Sequence, residues 1–227
     1  MNIRNYFLIA FAATALIACG DANTAETGDA GTAAEAAATA TTYVVDQAAS
    51  TLAWQGANIT GKSHNGVITI SEGSMSVDGA ALTAGNFTVD MTTITDLDIE
   101  DPEYNGKLVG HLSADDFFAV ATYPTATFEI TKVEAVEGDP AVSHHISGNL
   151  TIKGITNEVK IPALVSMNGD DLSAKASFVI DRAKWNVQYG SGSFFEDLGD
   201  KLILDEITFN LDLVSHKGGN GMATAAE

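Results

Sequence analysis

The sequence predicts an all-β domain: an antiparallel β-barrel of about eight strands with one short helical insertion. Three observations carry this. Apolar and polar residues alternate over many short segments, most clearly where Ile207, Phe209, Leu211 and Leu213 interleave with Thr208, Asn210 and Asp212; that period of two marks a strand with one buried face. Turn signals such as Asp78-Gly79 and Asn168-Gly169-Asp170-Asp171 punctuate the segments. The apolar pattern changes period only once, where Leu108 and Leu112 share a helical face ahead of Phe117 and Phe118. A sheet of eight or nine strands must fold over or close. Closure removes the edges, and eight staves leave room for side chains or one small ligand.

The N-terminus reads differently. Residues 1–18 hold Arg4 and then the apolar run Tyr6 to Ala18, which is a secretory signal and too short for a comfortable transmembrane helix. It ends in Leu16-Ile17-Ala18-Cys19, and Cys19 is the single cysteine. This resembles the bacterial lipoprotein box, which implies cleavage before Cys19 and diacylglycerol on its sulfur. Two or three acyl chains hold a protein on a membrane where one would be marginal. A plain signal with an incidental cysteine is the bland alternative. Gly20 rather than Asp follows the cysteine, which in the familiar sorting pattern favours the outer membrane over the inner. Residues 19–42 are small and polar with no large apolar side chain, and read as a flexible tether that lets the domain stand clear of the bilayer.

The barrel is expected over residues 43–215. Tyr43 to Val45 and Leu52 to Ala57 read as strands, with Trp54 as the apolar anchor. Turns are expected at Gly61 to Gly66 and at Ser71 to Ser74, with Val67, Ile68 and Ile70 between them. Phe87, Val89 and Met91 alternate with polar neighbours. Asp96 to Glu103 reads as an acidic loop, and Ser113 followed by Asp115-Asp116 as the N-cap and first turn of the helix. Pro124 stops any helix, and Ala126, Phe128 and Ile130 open the next strand. Further strands lie at Ile146 to Ile152, Val159 to Val165 and Leu172 to Ile180. Pro162 at an outward position signals an edge or a bulge. Trp185 to Phe195 is Gly- and Ser-rich and aromatic. Residues 216–227 read as a disordered tail.

Three separated segments carry a family resemblance: His111-Leu112-Ser113-Ala114-Asp115-Asp116-Phe117-Phe118 with Tyr123-Pro124-Thr125-Ala126-Thr127-Phe128; Gly148-Asn149-Leu150-Thr151-Ile152-Lys153-Gly154-Ile155-Thr156; and Phe178-Val179-Ile180-Asp181-Arg182. In this order they resemble the YceI-like family. The resemblance implies a lipocalin-like barrel exported to the bacterial envelope, holding an amphiphile with a long isoprenoid chain, without catalysis. The common opening of the family, an Asp and then His-Ser, is replaced here by Asp46 and Ala49-Ser50-Thr51.

The net charge is −19, from 30 acidic against 11 basic residues, which argues against nucleic acid as a partner. The candidate ligand-binding residues are the large interior side chains Trp54, Phe87, Met91, Leu112, Phe117, Phe118, Phe128, Phe178, Trp185 and Phe209, with His111 as a head-group candidate from its place in the motif. A prenyl chain needs only area, roughly 25 cal/mol per Å² of apolar surface buried. The same side chains would equally make a filled core. Lipid binding therefore stands beside a second reading, an envelope stress or interaction protein using the barrel as a scaffold. No catalytic residue stands out: the serines lie in no GxSxG elbow. No metal is expected, since His64, His111, His144, His145 and His216 form no HxH or HxxxH pair. Asp96, Asp98 and Glu100 resemble half of a calcium loop whose sixth position is Asp101 and whose twelfth is Lys107. A solvated acidic loop is the expectation there.

Overall fold

The computed structural model describes residues 24–218. Ten strands and one helix follow in order: β1 (Glu26–Asp29), β2 (Thr41–Val45), β3 (Thr51–Asn58), β4 (Ser63–Asp78), β5 (Ala81–Asp90), α1 (Pro102–Leu112), β6 (Thr125–Ala135), β7 (His144–Ile152), β8 (Ile155–Asn168), β9 (Asp171–Asp181) and β10 (Ile203–Lys217). From β4 to β10 each strand pairs antiparallel with its successor. The circle closes through β2 and β3, which lie end to end as one stave between β10 and β4. With that composite stave the barrel has eight, as the alternation predicted. Gly79 and Gly169 take φ of 64° and 66° at the β4–β5 and β8–β9 turns, the left-handed backbone that tight hairpins require.

Several local expectations are corrected. Ser71 to Ser74 is not a turn: β4 runs through it with a register shift between Ile70 and Glu72. That bulge breaks the alternation which would have marked the strand. His64 likewise sits on β4 rather than in a turn. The helix begins eleven residues before Ser113. Asp101 caps it, accepting from the Glu103 and Tyr104 amides, and Pro102 takes the first position. Ser113 is the C-cap, with its hydroxyl donating to the Val109 carbonyl. Asp115 and Asp116 therefore follow the helix instead of opening it, and His111 lies in its last turn. Pro124 stops nothing, since the helix has ended at Leu112. Beyond it, tight turns with Ala119 at φ 50° place Phe117, Phe118 and Val120 among the buried residues.

The N-terminal boundary also moves. Residues 24–34, expected in the tether, lie against the barrel. β8 pairs with β7 and β1 along its first half, but with β9 only from Ala163 onward. β1 enters the gap: Glu26 to Asp29 pair with Asn157 to Lys160, Thr24 bridges to Val179 of β9, and Ala25 is buried. Pro162, which has no amide to donate, falls where β8 exchanges one neighbour for the other. The Asn149 side chain then clamps Gly31, accepting from its amide at 2.9 Å and donating to its carbonyl at 2.8 Å. At the other end β10 includes His216 and Lys217, so the tail starts later than expected. The signal segment and Cys19 lie outside the described residues.

The interior holds two apolar clusters. One, at the α1 end, gathers Trp54, Met91, Ile94, Leu112, Phe117, Phe118 and Trp185. The other, at the far end, gathers Tyr43, Met75, Val77, Leu82, Leu172 and Leu213.

Candidate functional site

A cavity of about 150 Å³ occupies the seam between the two clusters. All 23 residues lining it are apolar. Its room comes from Ala126, Ala163, Ala174 and Ala176, inward positions on β6, β8 and β9 where larger residues would have filled the barrel. Phe87, Met91, Phe118, Phe128, Phe178 and Phe209 line it. Gly148 leaves space for the Phe128 ring, because a Cβ there would sit 2.3 Å from the ring edge. A second cavity of about 50 Å³ lies toward α1, lined in part by Trp54, Leu112, Phe117 and Arg182. Ile68, Phe118 and Phe209 border both, so these three side chains form the partition.

Two sequence candidates lie elsewhere. Trp185 is fully buried but lines neither cavity; its indole N–H donates to the Leu150 carbonyl at 2.9 Å and ties the segment after β9 to β7. His111 also lines neither cavity. Its ring packs edge-on against Tyr189, with centroids 4.1 Å apart, and against Phe117, and stands 3.6 Å from Asp116. It braces the post-helix segment from outside.

Arg182, which sequence reasoning left as part of a motif, is 1% exposed and the one charged side chain lining either cavity among the described residues. Three of its five N–H groups are committed. Nη1 donates to the Val187 carbonyl, Nη2 to Ile203 and Nε to Leu204. Asp205 Oδ1 lies 3.3 Å from Nη2, near enough for charge attraction but without hydrogen-bond alignment. Burial pulls the guanidinium below its ordinary value, and Asp205 and Asp181 oppose the shift. With its face over Phe117, Arg182 fastens the loop after β9, at Val187, and the start of β10 to the barrel end.

The polar cluster lies beside this end. His64 at the start of β4 meets Asp96 and Asp98 from the loop between β5 and α1. Backbone pairing sets the encounter: Thr95 N–H donates to Val67 O, Leu97 N–H to Asn65 O, and the Trp54 indole to Thr95 O. Gly66 permits it, since a Cβ there would stand 1.7 Å from the Thr95 oxygen. His64 Nδ1 lies 2.9 Å from Asp98 Oδ2 and 3.9 Å from Asp96 Oδ2. Asp98 Oδ1 accepts from the Asn65 amide, and Asp96 Oδ1 from Ile99 and Asn105. Among the described residues Asp96 Oδ2 has no hydrogen-bond partner, although the side chain is fully buried; an acceptor in that state costs about 1–3 kcal/mol. Burial raises the Asp96 carboxyl above its ordinary value, and neighbouring Asp98 adds to the shift. Burial pushes Asp98 up too, but the Asn65 amide and the His64 and Asp96 side chains together hold it below its ordinary value. The solvated acidic loop expected here is thus corrected at Asp96, which is buried, and at Asp101, which caps a helix.

Residues 43–215 match the YceI-like domain. The chain belongs to the YceI-like family. Among curated relatives, a UPF0312 protein of Pseudomonas aeruginosa is 49% identical over 61 residues, 27% of this YceI-like chain and 30% of the relative. The protein YceI of Salmonella arizonae is 34% identical over 110 residues, 48% of the chain and 49% of the relative. The chain therefore spans less than half of these relatives' length. Burkholderia cenocepacia BcnA superposes with a TM-score of 0.59 at 27% identity, covering 75% of this chain and 98% of that one. A polyisoprenoid-binding domain from Saccharophagus degradans superposes at 0.55 with 17% identity, covering 77% and 98%, a likeness of fold.

The YceI-like motifs map onto joints of the barrel. His111 to Phe118 is the turn closing one end, Gly148-Asn149 seats the Phe128 ring and clamps Gly31, and Asp181-Arg182 fastens the loop after β9. Sequence reasoning missed the His64 cluster because its members are far apart in the chain. The one available signal was Gly66 after His64, which makes sense only if another backbone crosses there.

Proposed function

We propose that this protein binds one apolar lipid chain of isoprenoid type inside the barrel and does so without catalysis. The observation that carries the reading is the wholly apolar cavity at the seam of the two clusters. Burial of hydrocarbon there needs no polar recognition, and roughly 25 cal/mol per Å² supplies the affinity. Membership of the YceI-like family and the shared fold with a polyisoprenoid-binding domain support it. A 150 Å³ apolar cavity accommodates about one benzene-sized group. A longer chain enters by displacing Phe118 and Phe209, which joins the two cavities into one channel toward α1.

The proposal includes attachment to the bacterial envelope through acyl chains on Cys19, on the periplasmic side.

The test is native mass spectrometry of the full chain isolated from a bacterial envelope, followed by organic extraction. One prenyl-type lipid per chain is the expected result. A chain that carries none and takes up no added isoprenoid refutes the reading and leaves the barrel as a scaffold. For the anchor, mass analysis of the mature N-terminus is expected to find acyl chains on Cys19; an unmodified cysteine refutes it.

A further inference from the structure

We infer that His64, Asp96 and Asp98 form a binding site for one divalent transition-metal ion of the zinc type, where β4 meets the loop leading into α1. The three ligand atoms lie within 4.8 Å of one another. The decisive feature is Asp96 Oδ2. It is buried, has no hydrogen-bond partner among the described residues and faces the His64 imidazole, while its sister oxygen is satisfied by Ile99 and Asn105. Buried acceptors are almost always paired, and an ion between Asp96 and His64 supplies what this one lacks.

The distances suit such an ion. Zinc bonds nitrogen and oxygen at 2.0–2.2 Å, which places tetrahedral donors about 3.4 Å apart. The observed 2.9 Å from His64 Nδ1 to Asp98 Oδ2 opens by about half an ångström, and the 3.9 Å to Asp96 Oδ2 closes by as much. One imidazole and two carboxylates fit zinc better than calcium, which takes six to eight oxygens. Supporting hydrogen bonds are already in place. The Asn65 amide orients Asp98, and the Ile99 amide and Asn105 orient Asp96. His64 and Asp98 keep 24% and 30% of their side-chain surface exposed, so the ion has an entry path and a water in its fourth position.

His216 provides an internal contrast. Asp171 and Asp46 approach its two different ring nitrogens, at 2.7 and 3.4 Å. One ion cannot take all three groups there, so His216 is the control.

The test uses the full chain, stripped with a chelator and dialysed against zinc chloride. One zinc per chain is expected, with a melting temperature that rises on addition. Asp96→Asn and His64→Gln are each expected to weaken binding about tenfold or more, and His216→Gln to leave it unchanged. Parent protein that takes up no stoichiometric zinc overturns the inference, as do Asp96→Asn and His64→Gln chains that bind as the parent does. A measurement on the unsubstituted chain guards against misfolded variants: one equivalent of Co²⁺ is expected to shift or broaden the His64 ring signals in NMR spectra selectively. Signals of His64 and His216 that respond alike, or not at all, overturn the site.

Discussion

Ala174→Phe tests whether the cavity is the lipid site. Ala174 is an inward residue of β9, 5% exposed, and lines the cavity. The substitution adds one benzene ring, which is what an apolar cavity of about 150 Å³ accommodates. An unfilled cavity costs about 24 cal/mol per Å³, so 150 Å³ corresponds to about 3.6 kcal/mol. Forcing a new ring among Leu, Ile and Phe neighbours costs about 1–3 kcal/mol in rotamer strain. The lipid-free variant is therefore expected to gain about 0.6–2.6 kcal/mol. At a urea slope of about 2 kcal/mol/M the unfolding midpoint rises by roughly 0.3–1.3 M. The same protein isolated from the envelope should carry no lipid. Two results refute the reasoning. A loss of more than about 3 kcal/mol, beyond the usual overpacking cost, means the room is not there. Lipid at the parent's stoichiometry means the cargo lies elsewhere.

Other outcomes follow from single contacts. Gly66→Ala drives a Cβ into the Thr95 carbonyl and is expected to destabilise at or above the ~3 kcal/mol end of the overpacking range, read by urea unfolding. Asn149→Ala removes both bonds to Gly31 and should raise amide hydrogen exchange across residues 24–34 while leaving β4 and β5 protected. His216 is bonded to Asp171 and Asp46, and the Asp171 bond first raises its imidazole above the ordinary 6.5. Its contribution to stability is thus complete below 6.5 and fades as pH rises through the raised value. Asp46, held below its ordinary value by the Ala49 and Ala48 amides and by His216, contributes above that ordinary value and loses its share as pH falls through the lowered one. An NMR titration should find His216 above 6.5 in the parent and lower in Asp171→Asn.

The barrel was legible because alternation is local: Ile207 to Leu213 declares a strand without reference to anything else. The helix was harder. Gly106 and Gly110 dilute its pattern, and Asp101 reads as one more loop acid unless Pro102 is recognised as its first residue. β4 looks like two pieces in the sequence because the bulge at Ile70 and Glu72 shifts the inward face. β1 was illegible because its residues are exposed and carry no large apolar side chain; backbone pairing to β8, not side-chain burial, holds it. Within the site, the large aromatics could be named from sequence but the cavity could not. Space is set by the four alanines across from them, and an alanine in a strand pattern looks the same whether it faces a void or a neighbour. The His64 cluster depends on a crossing of two backbones that only the closed barrel produces.

The placement of β1 also sets where this domain can be cut. Residues 43–215, the part that matches the family, include both strands that diverge but not the strand between them. A chain begun at Tyr43 would have the unpaired amides and carbonyls of 157–160 and 177–181 facing solvent as two open edges. Ala25, buried with the cluster at the α1 end, would be lost with the strand. Such edges recruit strands from other molecules, so the truncated chain is expected to self-associate through this slot. A synthetic peptide of residues 24–34 should return it to a monomer by strand donation.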